Sequence, residues 1–232
     1  MRYIETCLSP DLVHLHTLED KTVIVIDILR ATSCFVAGIA SGVELIVPKS
    51  SPEECMAMRN EGYLIAGERN GLKISDFDLG NSPLEYMKCA GKKIAATTTN
   101  GTKAILLSQQ SQNTIIGSFL NFDAVVEFVK NQSGDLLLMC SGWKGRFSME
   151  DSLFAGALVN AVYEDFMLVD DASIACQSLY LSAKNDMFIF LKNCSHFSRL
   201  KDYGLEDDLR FCLKMNQFDV LATVKNSVIV KA

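Results

Sequence analysis

Short runs of consecutive apolar residues recur through the first two-thirds of the chain, separated by segments with helical periodicity. Tyr3–Leu8, Thr22–Ile28, Glu44–Val47, Leu64–Ala66, Lys93–Thr97, Thr114–Gly117 and Asp135–Cys140 read as strands. Thr32–Ser41, Ser51–Asn60, Pro83–Ala90, Thr102–Gln109 and Asn121–Asn131 read as helices, with Pro52 in a first turn, where its missing N–H costs nothing. Beyond Ser148 the pattern is largely helical until a last strand at Ser227–Val230. Strands apolar throughout, alternating with helices, predict an α/β fold whose mainly parallel sheet is covered on both faces. No low-complexity linker divides the chain, so a single domain over 1–232 is expected.

Composition narrows the function. Hydrophobic residues make up 49% and charged residues 22%, an ordinary globular balance. The formal charge of −6 argues against nucleic acid as a partner, because phosphate backbones are held by dense basic surfaces. If the substrate is an anion, the site must instead be locally positive. The N-terminal residues show no basic run leading into an apolar core, and no apolar stretch reaches the roughly 20 residues that cross a bilayer. A cytoplasmic protein without a membrane partner is therefore expected, with a homodimer as the default assembly. Its 8 cysteines are scattered without a Cys-x-x-Cys pair, which suits reduced, buried thiols.

In an open parallel sheet, ligands collect beyond the carboxyl ends of the strands. Four loops at such ends carry chemistry. Where the strand Thr22–Ile28 gives way to helix stand Asp27 and Arg30, a carboxylate suited to Mg²⁺ and a fork suited to phosphate; a local ion pair or a helix cap would use the same residues. After Leu64–Ala66 come Glu68 and Arg69, then the Asn70-Gly71 turn and Asn81-Ser82-Pro83, which also reads as a helix start capped by Ser82.

The third loop, Thr97-Thr98-Thr99-Asn100-Gly101-Thr102-Lys103, has the hydroxyls and glycine of an anion cradle at a helix start, although Asn-Gly is also a common turn. The fourth runs from Cys140 through Gly142, Trp143, Lys144 and Arg146 to Glu150 and Asp151, where Ser148 and Asp151 also fit a capping box. Carboxylates grouped around bound phosphate would repel it without a cation between them, so Asp27, Glu68, Glu150 and Asp151 together imply Mg²⁺. Cys140 and Arg146 also match the Cys-x₅-Arg spacing of cysteine phosphatases, but no His stands directly before the cysteine and no Ser or Thr directly after the arginine. A buried thiol fits better. His14-x-His16 reads as a surface pair, His196 as packing beside Phe197, and Trp143 as a pocket wall or loop anchor.

The stretches VIDILRATS (25–33), GERNGLKISDFDLGNSP (67–83), ATTTNGTKA (96–104) and SGWKGRFSMEDSLFAGA (141–157) resemble the 2-phosphosulfolactate phosphatase family of coenzyme M biosynthesis. The tail stretches His196–Leu200 and Asp207–Cys212 share the resemblance. It implies a three-layer α/β/α fold and Mg²⁺-dependent hydrolysis of (2R)-2-phospho-3-sulfolactate to 3-sulfolactate and phosphate. Related 2-hydroxy-acid phosphates are the expected wider substrates. Carried onto this chain, it makes Asp27, Glu68 and Asp151 the catalytic candidates and adds Glu150 to the same three as metal ligands. Arg30, Arg69, Asn81, Thr99, Asn100, Gly101, Thr102, Gly142, Lys144 and Arg146 become candidates for holding a small anionic phosphorylated hydroxy acid. Two rivals stay open: a cysteine-dependent phosphatase using Cys140 and Arg146, and a non-catalytic protein that binds a small anion.

Overall fold

The apolar runs fold as strands of one sheet. The computed structural model of the protein describes residues 1–232. In chain order the elements are β1 (Tyr3–Cys7), β2 (Lys21–Ile26), α1 (Ala31–Ala40), β3 (Leu45–Pro48), α2 (Pro52–Ala57), β4 (Leu64–Arg69) and the short β5 (Leu72–Lys73). Next come α3 (Pro83–Tyr86), β6 (Lys93–Thr97), α4 (Gly101–Leu107), β7 (Asn113–Gly117), α5 (Phe122–Asn131) and β8 (Asp135–Cys140). The remainder holds α6 (Met149–Ala161), β9 (Met167–Leu168), α7 (Asp171–Ala183), α8 (Met187–Leu191), α9 (Ser195–Asp202) and α10 (Glu206–Cys212). A hairpin of β10 (Ala222–Lys225) and β11 (Val228–Lys231) follows.

Successive side chains on a strand point to opposite faces, so a strand apolar throughout builds two cores. In β2, Ile24 and Ile26 enter one core while Val23 and Val25 enter the other. In β8, Leu136, Leu138 and Cys140 divide from Leu137 and Met139 in the same way. Helices α5, α6, α7 and α9 cover the first face, and α1, α3 and α4 the second. This is the three-layer α/β/α arrangement. No helix is long and apolar enough to cross a membrane.

The strand order is β5-β4-β6-β3-β11-β10-β7-β2-β8-β1-β9. β4, β6 and β3 form one parallel block; β7, β2, β8, β1 and β9 form another. The hairpin joins them, β11 pairing antiparallel with β3 and β10 antiparallel with β7. The expected single strand at Ser227–Val230 is thus half of a hairpin, and it sits mid-sheet rather than at an edge. β2 ends at Ile26 instead of Ile28, because the backbone of Asp27 turns into α1.

Five strand steps separate β6 from β2, roughly 24 Å across a flat sheet. Yet a Cβ on Gly101, which opens α4 after β6, would lie 2.6 Å from Asp27 Oδ2, directly after β2. The sheet is therefore curled, and its curl brings distant carboxyl ends to one place.

Within the first layer of helices, α6 and α7 meet at Gly156, where an added Cβ would lie 1.9 Å from the Cys176 carbonyl oxygen. Gly156→Ala must push the helices apart. We expect it to destabilise the fold by about 3 kcal/mol, read as a lower urea midpoint at unchanged slope.

Candidate active site

Each loop of the rim is set by local hydrogen bonds before any chemistry begins. Thr32 Oγ1 bonds the Asp27 backbone, and Asp27 Oδ1 accepts from Ala31 N at 3.0 Å, which starts α1. Thr98 Oγ1 accepts from Thr102 N while Thr102 Oγ1 donates to Thr98 O, which closes the turn into α4. Thr102 is spent on that turn. Ser148 Oγ accepts from Asp151 N at the start of α6, but Asp151 does not return the bond, so only half of the expected capping box forms.

Two buried carboxylates then tie loop to loop. Glu68 accepts from Thr99 N at 2.7 Å and from Gly71 N at 2.6 Å. Asp151 accepts from Ile28 N at 2.9 Å and from Gly142 N at 3.0 Å. Glu150, beside it and equally buried, pairs with His196 Nδ1. Asn100 Oδ1 accepts from Lys144 N, and Lys144 Nζ reaches Asn70 Oδ1.

The result is one cleft. Asp27, Arg30, Glu68, Asn81 and Asn100 line it, with Trp143, His196 and Leu200 from the fourth loop and α9. Gly101 borders Asp27, and the buried Asp151 and Glu150 bond groups of the rim, Ile28 N and Gly142 N for the one and His196 for the other. A larger hollow against β9 has mostly apolar walls and no such convergence of polar groups.

Several candidates have other duties. Arg30 is buried, but it does not pair with nearby Asp27; its guanidinium engages Asp208 of α10 and Gly71 O. Asp208 also accepts from Ser82 Oγ, so Ser82 does not cap α3 with its side chain. Arg69 follows Glu68 on the same strand and therefore points the other way, donating to Glu68 O and Thr97 Oγ1. Arg146 is exposed outside the cleft.

The Cys-x₅-Arg loop is not an anion cradle either. Gly142 N is bonded to Asp151 and Trp143 N to Arg146 O. Cys140 is fully buried in the apolar core, and burial pushes its thiol well above the ordinary range. Burial there disfavours the attacking thiolate.

His196, expected to pack, instead lines the cleft. Its ring stands 5.0 Å from that of Trp143, and with Nδ1 on Glu150 its uncommitted nitrogen is Nε2. Asp208 was equally invisible as the partner of Arg30, because it lies 178 residues further on. The one available signal for both was the resemblance of the tail stretches themselves.

Electrostatics sets Asp27 apart. Burial pushes its carboxyl up to about 6, with Glu68 and Glu150 adding to the rise, while the Ala31 N–H and His196 oppose it. Burial and the charges of Glu150 and Asp27 raise Asp151 well above the carboxylate range. Glu150 is buried too, but the His196 charge and hydrogen bond outweigh that and hold it below its usual value. Asp27 Oδ2 receives no hydrogen bond from the chain, and Asn81 Oδ1 is buried without a donor.

These are two unclaimed hard oxygens in a cleft whose other acidic lining residue, Glu68, is bonded to backbone N–H groups. No three acidic, imidazole or thiol side chains converge as a protein-only metal cage. Mg²⁺ commonly uses one or two protein oxygens and completes its shell with water and substrate phosphate. The donor set fits that ion.

A family model described as 2-phosphosulpholactate phosphatase matches residues 7–227, nearly the whole chain that carries this rim. The chain belongs to the 2-phosphosulfolactate phosphatase family. A probable 2-phosphosulfolactate phosphatase of Thermotoga petrophila is 42% identical over 92% of this chain and 93% of its own length. Its counterpart in Caldanaerobacter subterraneus is 36% identical over 98% and 97%, and that of Clostridium perfringens strain 13 is 33% identical over 97% and 95%. The family consists of phosphoric monoester hydrolases.

The raised Asp27 carboxyl has a stability signature. Folding favours its protonated form, so between about pH 4 and pH 6 this group makes the protein less stable as pH rises, and the deficit is full above pH 6. Asp27→Asn removes the charge and keeps an acceptor for Ala31 N. At pH 7.5 the variant should melt about 5 °C higher than the parent, and the gap should close by about pH 4 in a thermal-melt series.

Proposed function

We propose that the protein is a Mg²⁺-dependent phosphatase that hydrolyses (2R)-2-phospho-3-sulfolactate to (2R)-3-sulfolactate and phosphate. Related 2-hydroxy-acid phosphates are its wider substrate class. One observation carries the reading: in a cleft rimmed by carboxylates spent on backbone N–H groups, Asp27 keeps a free oxygen. A pure anion binder gains nothing from an unneutralised carboxylate at its centre, whereas a phosphatase using a divalent cation requires one.

Asp27 Oδ2 and Asn81 Oδ1 would hold the ion. When bound, Mg²⁺ supplies the positive charge that lets a phosphate group approach these carboxylates. His196 is the proton-transfer group, held by Glu150 through Nδ1 so that Nε2 serves the reacting oxygens. Glu68 and Asp151 act as frame rather than as acid or base. Arg30 stiffens the wall by joining α1 to α10 and to the Gly71 turn.

Phosphate release from 2-phosphosulfolactate measures these roles. Asp27→Asn should lower it by about 10³-fold or more, and His196→Gln by about 10²-fold. EDTA should abolish turnover and added Mg²⁺ restore it. Cys140→Ala should stay within a few-fold of the parent once folded; a collapse to the Asp27→Asn level would revive the thiolate route. Undiminished release by Asp27→Asn would overturn the proposal.

A further inference from the structure

A substrate that carries acid groups besides its phosphate needs cations, and most of those near the cleft are committed. Arg30 is held by Asp208 and Gly71 O, Arg69 by Glu68 O and Thr97 Oγ1, and Lys144 by Asn70. Lys103 is paired with Asp11. Arg146 stands in solvent, where water already serves it.

Arg199 differs from all of them. It lies one turn beyond His196 on α9, with its guanidinium carbon 4.0 Å from the centre of the Trp143 ring. Trp143, His196 and the next residue, Leu200, all line the cleft. Nε and Nη2 of Arg199 are covered and have no acceptor. Leaving charged donors dry and unbonded is costly, and stacking on an indole offsets only part of that cost. What the arrangement gains is a flat, pre-set fork that matches two oxygens of one acid group.

We propose that Arg199, stacked on Trp143, binds one of the two acid groups of the substrate that are not transferred, carboxylate or sulfonate, while the phosphate lies against Asp27. This rests on the phosphatase reading for its substrate, and it assigns the residue that selects phosphate esters bearing a second anion.

Trp143 is the only tryptophan in the chain, so its emission reports on the stacked guanidinium. The whole protein is titrated with 3-sulfolactate, with 2-hydroxyethanesulfonate (sulfonate alone) and with lactate (carboxylate alone). The parent should respond saturably to 3-sulfolactate and to the single-acid probe whose group Arg199 holds. Arg199→Met, which keeps an apolar chain on the indole, should weaken 3-sulfolactate binding about 30-fold. Arg199→Lys should weaken it less, because charge remains but the fork is lost. Arg210→Met removes a second aromatic-stacked arginine, over Phe188, and should change nothing.

In turnover, Arg199→Met should raise KM for 2-phosphosulfolactate about 30-fold with kcat within about threefold, a split that general loosening of the site would not give. Parent-like binding by Arg199→Met, or a parent that binds none of the three probes, overturns the proposal. Binding through Arg199 by a parent that releases no phosphate would sustain it and remove the catalytic reading instead.

Discussion

The cleft depends on buried carboxylates whose oxygens are filled by backbone N–H groups. Asp151 fastens the loop after β2 to the loop after β8, and Glu68 fastens the loop after β6 to the turn after β4. A charged acceptor makes a stronger hydrogen bond than a neutral one, and burial strengthens it further. Each clamp is also expensive to desolvate, so neither could persist without its paired donors. Four loops from a curled sheet are held in this way without any loop having to be rigid alone.

This framework separates acids whose oxygens are filled from the one that keeps an oxygen free in the cleft. Glu68, Asp151 and Asp208 are consumed by N–H, hydroxyl and guanidinium donors. Glu150 is consumed by His196. Asp27 alone combines a cleft position, a free oxygen and a carboxyl raised to about 6 by burial and by its acidic neighbours. The charges of Glu68 and Glu150 add to the burial that raises the Asp27 carboxyl, so the bonded acids set the electrostatics of the unbonded oxygen.

Much of this was legible in the sequence because it obeys local rules. Unbroken apolar runs such as Val23–Ile26 and Leu136–Cys140 announce parallel strands, and polar residues just after them announce a ligand rim. That reasoning finds Asp27, Glu68, Asn81 and Asn100, which do share the cleft. It fails where partners are remote. Arg30 read as either a substrate fork or the local partner of Asp27, whereas its partner is Asp208, which follows far along the chain. Arg69 was misplaced for a simpler reason: residues adjacent on a strand cannot face the same way, so Glu68 and Arg69 divide between two sides. His196 sits in a polar helical tail whose direction no periodicity fixes. The antiparallel hairpin between the parallel blocks also escaped notice, since Ala222–Lys225 is short and half-polar.

That hairpin governs how the chain can be made. Residues 222–231 leave the ribosome after every other strand, yet they fill the gap between β3 and β7. Until they arrive, a nascent chain presents two open strand edges, each a template for unwanted pairing. Continuity of the sheet therefore rests on the two strands that come last along the chain, since without them the two parallel blocks share no backbone pairing.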